Sequence, residues 1–267
     1  MKLALVSDLH ANLEALDAVL ADIELASPDA RLVCAGDIVG YGPDPAACIG
    51  RLKARGALCV MGNHEEMVLG RRDFSRCGYA GIVAAVWTRS RLSASARAFL
   101  EQLPPWAEAA PGVIVCHGNL ASADAYVSTP EQAEQALAQL RELHPSAEVL
   151  VCGHTHQAAF FTQQRGLRLI GAAADYQISR QGASLINPGA VGQARGAAPN
   201  ARYALLDTER RRVWFREVPY DYLATLRKLR AAKLVVQVVL DPPQGVWRRV
   251  EGYKARWARY WAERGPS

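Results

Sequence analysis

One hydropathic phrase recurs through the first 156 residues: a short apolar run that breaks off into polar side chains. Leu3-Ala4-Leu5-Val6 leads into Ser7-Asp8-Leu9-His10, and Leu32-Val33-Cys34-Ala35 leads into Gly36-Asp37. Leu58-Cys59-Val60-Met61 leads into Gly62-Asn63-His64-Glu65, Val113-Ile114-Val115-Cys116 into His117-Gly118, and Val149-Leu150-Val151-Cys152 into Gly153-His154-Thr155-His156. Each run has the length and β-branched content of a strand covered on both faces. Side by side in one sheet, such strands would gather their polar ends at one edge. Open α/β sheets bind ligands there, beyond the carboxyl ends of the strands.

The segments between the runs predict helices. Asn12 stands where an N-cap would, ahead of Leu13, Leu16, Val19, Leu20 and Ile23 at helical spacing, and Ser27-Pro28-Asp29 ends that helix. Asp44 and Pro45 read as N-cap and first turn of a second helix, which stops at Gly56. Residues 78–91 and 93–103 are helical in pattern, with Ser93 as a cap and Pro104-Pro105 as a stop. Thr129-Pro130-Glu131-Gln132 is a capping box that opens a helix ending near Leu143. Residues 38–43 and 119–128 read as loops.

After residue 158 the pattern changes to short strands at 159–162, 167–170, 183–187, 203–207 and 213–218, without helices between them. That sequence suggests an antiparallel portion. The predicted fold is α/β, or α+β by some schemes: two mixed β-sheets packed as a sandwich with flanking helices. Residues 220–233 read as a helix, 234–240 as a strand and 248–263 as a last helix. Val250, Tyr253, Trp257, Tyr260 and Trp261 fall near one face of that helix. The stripe either docks on the body or joins two copies of the chain in a homo-oligomer. The expected division is a body at 1–218 and a basic, largely helical extension at 219–267 docked on it.

The formal net charge of +5 is uneven, with 14 Lys/Arg against 6 Asp/Glu from Glu209 onward. A basic tail can attract nucleic acid, but no nucleic-acid module accompanies it, so a solvated helix face is expected and nucleic acid is not. Four of the six cysteines (Cys34, Cys59, Cys116 and Cys152) lie inside apolar runs and read as small buried hydrophobes, not a disulfide framework. No apolar run is long enough for a bilayer, and the N-terminus enters a strand directly, so a cytoplasmic setting without a membrane is expected.

Five of the six histidines sit at the strand-end positions, the exception being His144 at a helix end before Pro145. Asp, His and Asn together form a hard-to-borderline ligand set without thiolate, suited to Mn²⁺, Fe, Zn²⁺, Co²⁺ or Ni²⁺. There are more candidate ligands than one ion needs, so two are expected.

Asp-x-His, Gly-Asp, Gly-Asn-His-Glu, a lone His and Gly-His-x-His, in that order, resemble the signature of the calcineurin-like metallophosphoesterase superfamily. The chain looks like one of its compact bacterial members, of the branch related to phosphodiesterases and dinucleoside polyphosphatases. Ile186-Asn187-Pro188-Gly189-Ala190-Val191-Gly192 resembles a turn of the smaller members, with Ala190 where a Ser is common. The resemblance implies that Asp8, His10 and His156 bind one divalent ion and that Asn63, His117 and His154 bind the other. Asp37 bridges the two, and manganese is the first expectation. It further implies that His64 faces the substrate as a catalytic group, alongside Asn63 and Asp37. Glu65 would orient a neighbour or serve structure alone.

In the implied mechanism two cations lower the pKa of a shared water, and the resulting hydroxide attacks phosphorus in line with the leaving oxygen. No Ser or Cys nucleophile is required. Cys116 reads as core because strand neighbours point to opposite faces. The expected substrate is a small phosphodiester or a nucleotide-like ester. A dinucleoside polyphosphate, a phosphomonoester or a phosphoprotein remains an alternative on the same site, and a non-catalytic scaffold of the same fold is less expected because His64 is present. Tyr41 could stack on a base or sugar, or pack against the helix beginning at Asp44. Arg195 could meet a second phosphate or stand as a loop charge.

Overall fold

The computed structural model describes residues 1–75, 77–171, 173–193 and 199–234. The expected strand at 234–240, the last helix with its aromatic stripe, the oligomer contact assigned to it, and Arg195 fall outside the described residues, Leu234 excepted.

The first half supplies β1 (Lys2–Val6), α1 (Leu13–Ala26), β2 (Arg31–Cys34), α2 (Pro45–Ala54), β3 (Leu58–Cys59), α3 (Asn63–Leu69), α4 (Tyr79–Arg91) and α5 (Ala94–Glu101). Then follow β4 (Trp106–Ala110), β5 (Val113–Cys116), α6 (Pro130–Leu143) and β6 (Val149–Val151). The remainder is β7 (Ala159–Thr162), β8 (Gly166–Leu169), β9 (Ala174–Gln177), β10 (Ser184–Asn187), β11 (Ala201–Asp207), β12 (Arg212–Val218) and α7 (Tyr222–Ala231).

Two six-stranded sheets result, in the orders β3-β2-β1-β11-β12-β9 and β4-β5-β6-β10-β7-β8. The first is parallel at one end, through β3-β2-β1, and antiparallel from there to β9, while the second is parallel at its centre, through β5-β6-β10, and antiparallel on both sides. The expectation of a single sheet for the five apolar runs is therefore corrected. Three runs form one sheet and two the other, and the sheets face each other with their carboxyl ends at a common rim. The later strands are likewise shared between both sheets rather than forming one meander, and β10 runs parallel to β6.

The period of two explains the sandwich. Leu3 and Leu5 of β1 point inward to meet Val113, Val115, Val149 and Val151 of the opposite sheet. Ala4 and Val6, on the other face, pack under Leu16, Val19 and Ile23 of α1. Across the molecule Ile114, Cys116 and Leu150 pack under Leu137 and Leu140 of α6. Both faces of each central strand are thus covered, as the near-continuous apolar runs require.

The caps hold α1, α5 and α6 where the sequence predicts them: Asn12, Ser93 and Thr129 accept hydrogen bonds from the amides of Ala15, Ala96 and Gln132. Asp44 sits at the N-cap position of α2 without capping, because its carboxylate accepts instead from Lys228 Nζ at 2.8 Å. That bond fastens α7 to the body, together with Leu226 and Leu229, which pack against Ala84 of α4. Three elements escaped the sequence reading: α3, β4 and β9. All six cysteines are free thiols, and none of the described helices is long and apolar enough to cross a membrane.

Candidate metal centre

Every strand-end polar residue singled out from the sequence arrives at the shared rim. Asp8 and His10 follow β1, Asp37 follows β2, Asn63 and His64 open α3, His117 follows β5, and His154 and His156 follow β6. All eight are buried. His10 Nε2 lies 3.0 Å from His156 Nε2, and His156 Nε2 lies 3.4 Å from Asp8 Oδ1. On the other side His117 Nε2 lies 3.1 Å from Asn63 Oδ1 and 3.2 Å from Asp37 Oδ2. Asp37 Oδ2 also lies 3.8 Å from His10 Nε2, so one carboxylate oxygen faces both groups.

The backbone takes unusual conformations to achieve this. Asp8, His10, Asp37, His154 and His156 all have positive φ, from 47° to 67°. L-residues visit this region at a cost, and clusters of such residues mark functional sites. The small residue beside each polar group also has a steric reason. A Cβ on Gly62 would stand 2.2 Å from Asp37 Oδ1, and one on Gly153 would stand 1.9 Å from Ser7 Oγ.

The imidazoles are oriented from behind. The Nδ1 atoms of His117, His156 and His10 lie 2.7, 2.8 and 3.3 Å from the carbonyl oxygens of Ala35, Gln193 and Val39. A carbonyl only accepts, so it holds the proton on Nδ1 and leaves Nε2 as a lone pair, the arrangement of metal-ligating histidine. Among the described residues Asp8 Oδ1 and His154 Nε2 are buried without a hydrogen-bond partner. Two carboxylates, an amide oxygen and imidazole nitrogens aimed at one another leave lone pairs that only cations or protons can satisfy. Three clusters have ligand atoms close enough for an ion: Asp8, His10 and His156; His10, Asp37 and His64; and Asp37, His117 and His154. The residues therefore fit divalent cations.

The protonation states divide: three imidazoles are held neutral, whereas His117 is pushed up to about 10, because Asp37 and Asp8 beside it outweigh its burial. Burial pushes the His10 pKa well below its ordinary value, and that of His154 down to about 3. Burial lowers His64 as well. All three favour the neutral form. Burial likewise pushes Asp8 up to about 7. Asp37 is held well below the carboxylate range. Burial works against that, but His117 and His64 outweigh it.

Glu65 orients the loop of a candidate ligand and is not structural alone. Its carboxylate accepts from the amides of Gly62, Asp37 and Val39 at 2.8, 2.9 and 3.0 Å. It so braces the loop carrying Asp37 while closing the first turn of α3. Cys116 is fully buried, with its thiol pushed up to about 12 by burial, so it is core and no nucleophile. Tyr41 packs between His10 and His64, with ring centroids 4.7 and 4.6 Å away, and leans on the cluster around Leu226 and Leu229. His144 caps the end of α6 and meets the Trp106 ring edge-on.

A cavity of about 850 Å³ opens over the centre. One wall holds Tyr41, Met67 and Arg72, and the other holds Asn119, Tyr126, Gln132 and Gln135. Arg72 spans the two walls, bonded to Glu66 at 2.6 Å and to Asp124. Sequence reasoning missed Arg72 and Tyr126. Tyr126 left one signal, as the one aromatic side chain in an otherwise small and polar loop.

Clustered carboxylate, amide and imidazole donors at the rim of a two-sheet sandwich define a metal-dependent hydrolase of phosphoric esters. The sequence matches the calcineurin-like phosphoesterase superfamily domain over residues 1–211, and the chain belongs to that superfamily. It is 31% identical over 231 residues to the uncharacterized protein MJ0912 of Methanocaldococcus jannaschii, covering 85% of this chain and 91% of that one. It is similar in structure to a metallophosphoesterase from Sphaerobacter thermophilus, with 30% identity, a TM-score of 0.77, and coverage of 90% and 98% of the two chains. The fold is shared with the hypothetical protein PH1004 of Pyrococcus horikoshii OT3, at 19% identity, a TM-score of 0.71 and coverage of 89% and 96%.

Proposed function

We propose that the protein is a phosphodiesterase for small, nucleotide-like esters, working with two divalent transition-metal ions. Asp8, His10 and His156 would hold one ion. Asn63, His117 and His154 would hold the other, and Asp37 would serve both. The carrying observation is the position of Asp37 Oδ2, which faces His117 Nε2 at 3.2 Å and His10 Nε2 at 3.8 Å. An anionic oxygen is the group best able to serve two cations at once. Manganese is the first choice, since the donor set is oxygen and imidazole without thiolate.

The cations supply Lewis acidity, lowering the pKa of water and drawing charge from the phosphoryl group. The protein's own part is orientation. The Ala35, Gln193 and Val39 carbonyls fix the ligand tautomers, and the His64 amide holds Asp37 Oδ1 at 2.9 Å. His64 Nδ1 is buried without a partner against Gly40. A neutral His64 with its proton on Nε2 would donate it to a phosphoryl or leaving oxygen. A cavity of about 850 Å³ suits a small ligand better than a phosphoprotein surface.

The test is a panel of mono-, di- and dinucleoside polyphosphate esters assayed with Mn²⁺, Ni²⁺, Co²⁺, Zn²⁺ and Mg²⁺. Metal-dependent turnover highest on a diester is expected. A clear preference for monoesters or polyphosphates, or turnover unaffected by chelation, would refute the proposal.

A further inference from the structure

We propose that Tyr126 forms a stacking subsite for a planar ring carried by the ester, with a nucleobase as the fitting occupant. The inference rests on the diesterase reading above and names the part of the substrate that lies beyond the phosphate.

The geometry starts at His154. The Tyr126 ring lies against the His154 ring, with centroids 4.2 Å apart and planes tilted by 43°. His154 can cover one side of the phenol only, and Tyr126 remains 47% exposed while lining the cavity over the centre. An open aromatic face thus stands one ring away from a candidate ligand atom, beside the place a phosphate would occupy. Tyr41 cannot take this part, because its ring is packed between His10 and His64 and against the α7 cluster. Base–aromatic stacking tolerates sequence and needs only such a face.

The polar groups beyond Tyr126 suit the edge of a base. Asn119 Oδ1 already accepts from the amides of Ala121 and Ser122 at 2.9 and 2.8 Å. Gln132 Oε1 accepts from Ser128 and Thr129. Both carboxamides therefore keep their NH₂ ends for a ligand, and Gln135 adds another from the next turn of α6. Amide donors match the ring carbonyl oxygens of a pyrimidine such as thymine.

The experiment measures binding, so it is independent of turnover. Thymidine 5′-monophosphate and ribose 5-phosphate are titrated calorimetrically into the full-length Mn²⁺-loaded protein. Wild type should bind the nucleotide roughly ten-fold more tightly, within the range of a base–aromatic stack. Tyr126→Ala should erase that difference while leaving ribose 5-phosphate unchanged, and Tyr126→Phe should preserve it. Equal binding of the two ligands by wild type would overturn the subsite and leave the metal centre standing. So would an equal loss on both in Tyr126→Ala, which would mean that the ring acts through His154. If neither phosphate binds in a metal-dependent way, the reading of the centre fails and the subsite fails with it.

Discussion

Asn12 offers the sharpest test of how the rim is held. Its side chain is 2% exposed and makes four hydrogen bonds. Oδ1 accepts from the Ala15 amide and from Thr225 Oγ1, both at 3.1 Å, while Nδ2 reaches Gly192 O at 2.9 Å and the Tyr220 hydroxyl at 3.2 Å. The first bond caps α1. The others tie α7 and the 191–193 turn to the loop carrying His10, and the next carbonyl in that turn, Gln193 O, holds His156 Nδ1. Asn12→Ala removes the cap, worth about 1 kcal/mol. It also leaves the buried Gly192 carbonyl unpaired, at about 1–3 kcal/mol. A total of about 2–4 kcal/mol should lower the melting temperature by about 4–16 °C. Asn12→Asp separates the two contributions. It keeps the capping oxygen but sets a second oxygen, with charge, against Gly192 O, and an uncompensated buried charge costs about 3–5 kcal/mol. If Asn12 served only as a cap, Asn12→Asp would melt near wild type and above Asn12→Ala. The clamp requires the reverse order, read by thermal unfolding followed by circular dichroism. It also requires weaker Mn²⁺ binding in Asn12→Asp by calorimetry. Wild-type melting of Asn12→Asp would refute the reasoning.

Other substitutions probe the centre directly. Asp37→Asn should cut both metal affinity and diester turnover by at least about 100-fold, since one of its oxygens faces both groups of candidate ligands; unchanged turnover in metal-replete buffer would remove Asp37 from that position. His64→Ala should lower turnover by roughly 10²–10³-fold with metal content near wild type, and loss of metal by elemental analysis would make His64 a ligand. Gly62→Ala tests the close approach at Asp37. Gly62 has an ordinary φ of −99°, so a destabilisation of about 1–3 kcal/mol would be purely steric, and an unshifted melting curve would contradict the contact.

The ligand candidates were legible because each stands immediately after an apolar run, where a strand must end and a polar side chain would otherwise have no reason to be buried. The capped helices were legible for a similar local reason, as with the Thr129 box. Sheet membership was not. Leu3 and Leu5 alternate with Ala4 and Val6 in the same way whichever sheet β1 joins, and only packing against Val113 and Val149 separates the two. The helix α3 was hidden because Asn63-His64-Glu65 reads equally well as the end of a strand, and β3 proves only two residues long. Its signal was Glu65, placed to close a first helical turn. β4 and β9 are edge strands whose Ala, Glu and Gln content carries little β propensity. The second role of Asn12 and the position of Tyr126 depend on partners far away in sequence, Tyr220 and His154 among them, which no local pattern encodes.

The same long-range bonds explain how so much backbone strain survives at one place. Nine non-glycine residues among those described have positive φ; five are candidate ligands, and Ala11 and Tyr41 adjoin them. Each costs on the order of 1–3 kcal/mol, so the rim would relax if left to itself. It is held by amides donating across loops: Asp8 N to Gly36 O, His10 N to Asp37 O, Ala11 N to Ile38 O and Gly192 N to Asp8 O. Gly153 N bonds to His117 O, and His154 N to Asp8 Oδ2, which ties the second sheet's loops to each other and to the first. Turning each loop back on itself leaves its amides free to reach the neighbouring loop, and the side chains are thrown together at the centre. Strain and hydrogen bonding are therefore one arrangement: the left-handed residues create the network that keeps them left-handed. Side chains fixed in this way would need little reorganisation to take up cations.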